Sequence, residues 1–221
     1  MINHDFIVPK KSKSVSPLKK PHITMAIGQT GSGKSVAVFN YLNALQEEKE
    51  YDDALFVTSN KRDPLLKSLG KDVKLTNDPQ DLNDFIIKVK QKPNPEKSKS
   101  IIILDDIQSS NDFNLMLGRS LFNNFILSHR HYHTDIIATS QTLKNSFSPI
   151  FRKNVTRFLI FYPRDEDEMK EIEGVSGNRL NMKKALALLK NDPNPNQFLN
   201  IYKYGAQRDY ILGFNQEKLD L

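Results

Sequence analysis

Cysteine is absent from the 221-residue chain, which excludes disulfide staples and thiolate metal centres and suits a reducing compartment. Long apolar runs are missing too. The longest, Ile101 to Leu104 and Phe158 to Tyr162, fall far short of the roughly 18 residues of a membrane span, so no transmembrane segment is expected. The first twenty residues lack the apolar centre of an export signal, which argues against secretion. No internal repeat or heptad array is evident. The length leaves no room for two motor lobes, which excludes a monomeric two-lobed helicase.

What is present describes an ordinary globular chain, 38% hydrophobic and 26% charged, large enough to bury one core. Much of the net charge of +6 sits at the start, where Lys10, Lys11, Lys13, Lys19 and Lys20 face only Asp5 among the acidic residues. Residues 1–20 therefore read as a basic, flexible tail. Such a tail is attracted to nucleic acid or to an acidic surface, or is simply a solvated arm.

Beyond it, five short runs rich in Ile, Val and Phe alternate with stretches of helix-forming composition. The runs are His22 to Ile27, Ala54 to Thr58, Ser100 to Asp105, Thr134 to Thr139 and Val155 to Phe161. Helices are expected over Lys34 to Glu47, Asp81 to Lys90 and Asn114 to Ser128. This alternation predicts an α/β fold with a mostly parallel sheet flanked by helices. Pro93 to Ser100 and Asn191 to Asn196 read as loops. After Pro163 come an acidic segment, a helix near Asn181 to Lys190, and a hairpin of Phe198 to Tyr204 with Arg208 to Phe214. The expected organisation is one domain over 21–221, with a core at about 22–162 and a small C-terminal helix-and-hairpin addition at about 163–221.

Gly28-Gln29-Thr30-Gly31-Ser32-Gly33-Lys34-Ser35 matches G-x-x-x-x-G-K-[ST] and stands between a predicted strand and a predicted helix, where a phosphate-binding loop belongs. Glycines let backbone N–H groups curl around phosphates, and the helix N-terminus adds positive potential. Lys34 would reach the β and γ phosphates of ATP, and Ser35 would supply a hydroxyl to Mg²⁺. A glycine-rich turn that binds nothing is the alternative.

Ile101-Ile102-Ile103-Leu104-Asp105-Asp106 is a buried-strand run closed by two carboxylates, a Walker B pattern. Asp105 at the strand end suits the Mg²⁺ shell, and Asp106 is a candidate to polarise the attacking water. The alternative is a buried strand with a polar turn. A full strand separates loop from Walker B, and another follows it and ends in Ser140-Gln141. That order favours the additional-strand, RecA-like class of P-loop NTPases; by resemblance to that class, the later strand presents a polar sensor to the γ-phosphate, and Gln141 would be that sensor. A polar residue capping a turn is the other reading of Gln141. No N-K-x-D reads guanine, no L-S-G-G-Q marks a transporter ATPase, and no terminal helical lid is evident.

Together, G-Q-T-G-S-G-K-S, I-I-I-L-D-D and S-H-R-H-Y-H-T-D-I-I-A-T-S-Q resemble the FtsK-HerA superfamily, and within it the genome-packaging ATPases of poxviruses, other large DNA viruses and virophages. The resemblance spans about Ile23 to Phe161. It implies an ATP-driven homo-oligomeric ring, pentameric or hexameric, that moves double-stranded DNA into a preformed capsid, docked at a capsid vertex or inner viral membrane. It also implies a location in the virion or at the assembly site in host cytoplasm. By position, Lys34 and Ser35 would bind nucleotide and metal, Asp105 metal, Asp106 water and Gln141 the γ-phosphate. Arg130 matches the place of the superfamily's arginine finger, with Arg119 and Arg152 as rivals. Two departures stand out: the second Walker B acid is Asp where many pumps carry Glu, and Ser128-His129 replaces the Asn-Gly or similar pair before the arginine.

The other readings are a cellular or plasmid DNA-transfer pump, a nucleotide-binding capsid scaffold and a small-molecule kinase. His129, His131 and His133 would share one face of an extended segment, as surface polar groups, phosphate contacts or a metal site. Lys88, Lys90, Lys92, Lys97 and Lys99 form a second basic stretch, opposite the expected nucleotide edge. Segments 107–112 and 142–153 are candidate DNA-contacting loops because they leave strand carboxyl ends.

Overall fold

Apolar β-branched runs bounded by polar turns form the sheet, and amphipathic stretches cover it. The computed structural model describes residues 21–47, 51–60, 66–67, 69–107, 120–143, 147–162, 166–176, 187, 189, 197–202 and 210–212. In chain order the elements are β1 (Ile23–Ile27), α1 (Lys34–Glu47), β2 (Asp53–Thr58), β3 (Val73–Thr76), α2 (Pro79–Lys90) and β4 (Ser100–Asp105). Next come α3 (Leu121–Ser128), β5 (Thr134–Ser140), α4 (Pro149–Asn154), β6 (Arg157–Phe161), α5 (Glu166–Ser176), β7 (Phe198–Tyr202) and β8 (Tyr210–Leu212). Single 3₁₀ turns occupy Pro95–Lys97 and His129–Tyr132.

The strands make one eight-stranded sheet in the order β3-β2-β4-β5-β1-β6-β7-β8. Pairings from β3 through β6 are parallel, and β6–β7 and β7–β8 are antiparallel. The expected α/β sheet is therefore present, and β5 lies between β4, which ends in Asp105, and β1, which leads into the glycine loop, as the additional-strand order requires. Because β1, β2, β4, β5 and β6 run the same way, their carboxyl ends share one edge.

Alternation along β1 divides the core. Ile23, Met25 and Ile27 face one layer with Phe85, Phe122, Phe125 and Phe151, from α2, α3 and α4. Ala26 faces the other, with Ala37, Phe39 and Leu42 of α1. The two alanines, Ala26 and Ala37, let α1 lie close to the sheet. Phe122 and Phe147 stack on Phe151, welding α3 and the entry to α4 together.

Several expectations need correction. The third helix starts at Leu121, since Ser120 is extended and its side chain accepts from Asn123 N–H as an N-cap; positions 114–119 lie outside the described residues. The window 142–153 is part helix, because Ser148 caps α4 and Pro149 takes its first turn. The acidic segment after Pro163, to which no element was assigned, includes α5, with Glu166, Asp167 and Glu168 in its first turn, where carboxylates favour the helix dipole. The His129–His133 segment is not extended: it is a 3₁₀ turn closed by His133 at φ 44°, so its histidines do not share a strand face. Strand β3 was not expected.

The basic tail, Arg119, the helix near 181–190 apart from Ala187 and Leu189, and the hairpin turn at 203–209 lie outside the described residues. Among the described residues no helix is long and apolar enough to cross a membrane.

Candidate nucleotide site

The loop between β1 and α1 leaves the carboxyl edge of the sheet and is tied there by Gly28 N–H, which donates to Ser140 O at 3.2 Å. Gly31 and Gly33 hold φ of 80° and 92°, a backbone that side chains resist. Gly28 has a different reason to be glycine: a Cβ there would lie 2.5 Å from Phe161 Cβ. Gln29, Thr30 and Gly31 are exposed at the mouth, and Gly28 and Lys34 are buried. The Ser32 hydroxyl is buried within the loop with no hydrogen-bond partner. An orphaned donor inside a glycine cradle suits an anionic oxygen arriving from outside.

Lys34 opens α1 and donates through Nζ to Gln29 O at 2.7 Å, folding back over the loop. Burial pushes its ammonium below the ordinary lysine value, against the upward pull of Asp106, Asp105 and Glu168. Lys34 is thus a half-desolvated cation among three carboxylates, suited to phosphate. Glu168 of α5 was not anticipated from sequence, where it was one residue of an acidic segment with no role assigned.

Next to the loop, Ser35 Oγ donates to Asp105 Oδ1 at 3.0 Å across 70 residues of chain. Thr139 Oγ1, on β5, donates to the same oxygen at 2.8 Å. The Ser35 hydroxyl and the Asp105 carboxylate are hard oxygen donors of the kind Mg²⁺ takes, so they fit the expected ion. Asp106 follows at φ 49°, in the left-handed region that few non-glycine residues enter, aspartate more often than most. Its N–H donates to Thr139 Oγ1 at 3.0 Å, and its C=O accepts from Ser59 Oγ at 3.2 Å.

Gln141 is exposed immediately beyond β5, one residue after the carbonyl that anchors Gly28. The sequence candidates Gly28 to Ser35, Asp105, Asp106 and Gln141 therefore collect on one edge. Arg130 does not join them within the subunit. It is exposed in the turn before β5, beside His22 at the start of β1, whose imidazole burial and the nearby cations Arg157 and Arg130 hold down to about 3. That is the opposite edge, roughly 20 Å away along a strand of this length. Arg152, its rival, is on α4 with a buried Nε that has no hydrogen-bond partner. The second basic stretch also lies on that far edge, where Lys88 and Lys92 both pair with Asp53 at 2.6 Å.

A parallel sheet with the order described, a glycine loop feeding α1, and a strand-end carboxylate on the loop's serine define the P-loop NTPase fold. At the sequence level no family model matches the chain, and no curated protein does. Solved structures do. The genome packaging NTPase B204 from Sulfolobus turreted icosahedral virus 2, in complex with ATP-gammaS, superposes with a TM-score of 0.64 at 14% identity, over 86% of this chain and 96% of that one. The DNA-packaging ATPase B204 from Sulfolobus Turreted Icosahedral Virus gives 0.61 at 17% identity, over 86% and 97%. EssC (ATPases 2 and 3) from Geobacillus thermodenitrificans gives 0.57 at 15% identity, over 89% of this chain and 40% of that one. At these identities the likeness is one of fold.

Proposed function

We propose that the protein is an ATP-hydrolysing motor of the FtsK-HerA type that moves double-stranded DNA into a viral capsid as a homo-oligomeric ring. One observation carries the reading: β5 is inserted between β4 and β1, and the edge so formed places Asp105 on Ser35 and Asp106 beside the glycine loop. This is an arrangement suited to hydrolysis of a nucleoside triphosphate, and it sits in a fold that superposes on a packaging NTPase over 86% of this chain and 96% of that one.

The loop N–H groups and Lys34 bind the phosphates and offset their charge. Ser35 and Asp105 would hold Mg²⁺, whose charge would offset the negative charge that develops on the phosphates. Asp106 accepts the proton of the attacking water, and Gln141, at the end of the inserted strand, contacts the γ-phosphate. Arg130 acts on the site of a neighbouring subunit, because its own subunit keeps it on the far edge. Oligomerisation is then part of catalysis: each site is complete only with a neighbour's arginine. The basic tail and the capsid or membrane attachment complete the assembly.

Triplex displacement tests translocation directly. Purified protein, ATP and Mg²⁺ on duplex DNA carrying a labelled third strand should release that strand, and a non-hydrolysable ATP analogue should not. ATP hydrolysis without any strand release, on duplexes long enough to load a ring, would remove the motor assignment while leaving an ATPase.

A further inference from the structure

We infer that Thr139 is a positioning residue that sets both Walker B carboxylates through one hydroxyl. The inference rests on the ATPase reading for its kinetic consequence, and on the described geometry alone for its structural one. Thr139 is fully buried on β5. Its hydroxyl has one proton to give and lone pairs to accept with. The proton goes to Asp105 Oδ1 at 2.8 Å, and a lone pair takes Asp106 N–H at 3.0 Å. One side chain from the inserted strand therefore touches two consecutive residues of its neighbour.

Both contacts fix something the backbone would not hold unaided. Asp106 has a left-handed conformation, a region that few non-glycine residues occupy. It is pinned from both sides, by Thr139 on its N–H and by Ser59 on its C=O. Releasing the Thr139 end lets the residue relax toward the ordinary regions and turns its carboxylate away from the loop. Asp105 Oδ1 receives Ser35 as well as Thr139. When the serine hydroxyl turns to a metal, Thr139 remains to hold the carboxylate rotamer. Supporting groups of this kind typically matter 10–100-fold (about 1.4–2.7 kcal/mol).

Valine has the shape of threonine without either hydrogen bond, and serine keeps the hydroxyl. The test compares the full-length wild type with Thr139→Val and Thr139→Ser. Hydrogen–deuterium exchange without nucleotide should show the Asp106 amide about tenfold faster in the valine variant, with the rest of β4 and β5 unchanged, and near wild-type in the serine variant. With ATP and Mg²⁺, kcat should fall about 10–100-fold in Thr139→Val while KM for ATP stays within about threefold; Thr139→Ser should restore kcat. Wild-type exchange and kcat in Thr139→Val would overturn the inference. Uniformly faster exchange across β5 would overturn it too, by showing a packing role. Should the valine variant fail to fold, Thr139→Ala is read by the same exchange criterion. A wild type without ATP turnover would sink the ATPase reading, and the exchange comparison would still decide the clamp.

Discussion

His129 supplies a prediction whose sign follows from burial. The residue precedes Arg130 in the 3₁₀ turn, is 2% exposed, and its Nδ1 lies 2.7 Å from Thr134 O. A carbonyl accepts only, so Nδ1 carries a proton and donates to it. Burial holds its pKa down to about 4, outweighing the carbonyl's opposite pull. In the unfolded chain the value is about 6.5. Between those values the unfolded state binds a proton that the folded state refuses, so stability falls as pH drops from about 6.5 to about 4 and this contribution is flat below. The difference is about 2.5 units, or roughly 3 kcal/mol. His129→Asn keeps an N–H for Thr134 and has nothing to titrate. Urea unfolding from pH 7.5 to 4 should show the gap in stability between wild type and variant shrinking by about 3 kcal/mol on acidification. His22, also held down, owes this first to its own burial and only last to His129, so most of its contribution cancels in the difference. A gap that stays constant with pH would refute a neutral, buried His129.

Other consequences concern the site. Asp106→Asn should lower kcat about 10²–10⁴-fold while ATP affinity, read by fluorescence titration, changes little; asparagine tolerates the left-handed backbone, so lost binding would instead mean a structural role. Gly28→Ala forces a methyl group against Phe161 Cβ; it should cost about 1–3 kcal/mol in thermal unfolding and weaken nucleotide binding, and unchanged values would contradict the tight strand–loop approach. Arg130→Ala and Lys34→Ala subunits, each inactive alone, should recover activity when mixed; no recovery in stable mixed rings would remove Arg130 as a trans-acting group.

Elements buried on both faces were legible in the sequence because such strands need continuous apolar runs, as β4 shows with I-I-I-L. The glycine loop between β1 and α1 was legible because its glycines and lysine have fixed spacing and stand between a strand and a helix. Strand β3 was not: it is four residues long at the sheet edge, with Lys74 exposed between half-buried neighbours, so its pattern does not stand out from a polar turn. Helix α4 had a readable signal in Ser148-Pro149, an N-cap followed by a first-turn proline, obscured by its six-residue length. The histidine segment misled because alternation in sequence implies a shared face only in a strand. Thr139 was hidden by register: that it faces Asp105 depends on β5 lying beside β4, a three-dimensional fact. Lys34's third carboxylate, Glu168, likewise comes from α5, far along the chain.

Steady-state ATP turnover, measured with and without double-stranded DNA over a range of protein concentrations and beside Lys34→Ala, tests the central claim most directly. Turnover that DNA stimulates, that rises more than proportionally with protein concentration and that vanishes in Lys34→Ala is the expected result. Turnover indifferent to DNA and strictly proportional to protein concentration, or equal in Lys34→Ala, would contradict an assembling DNA motor built on this phosphate loop.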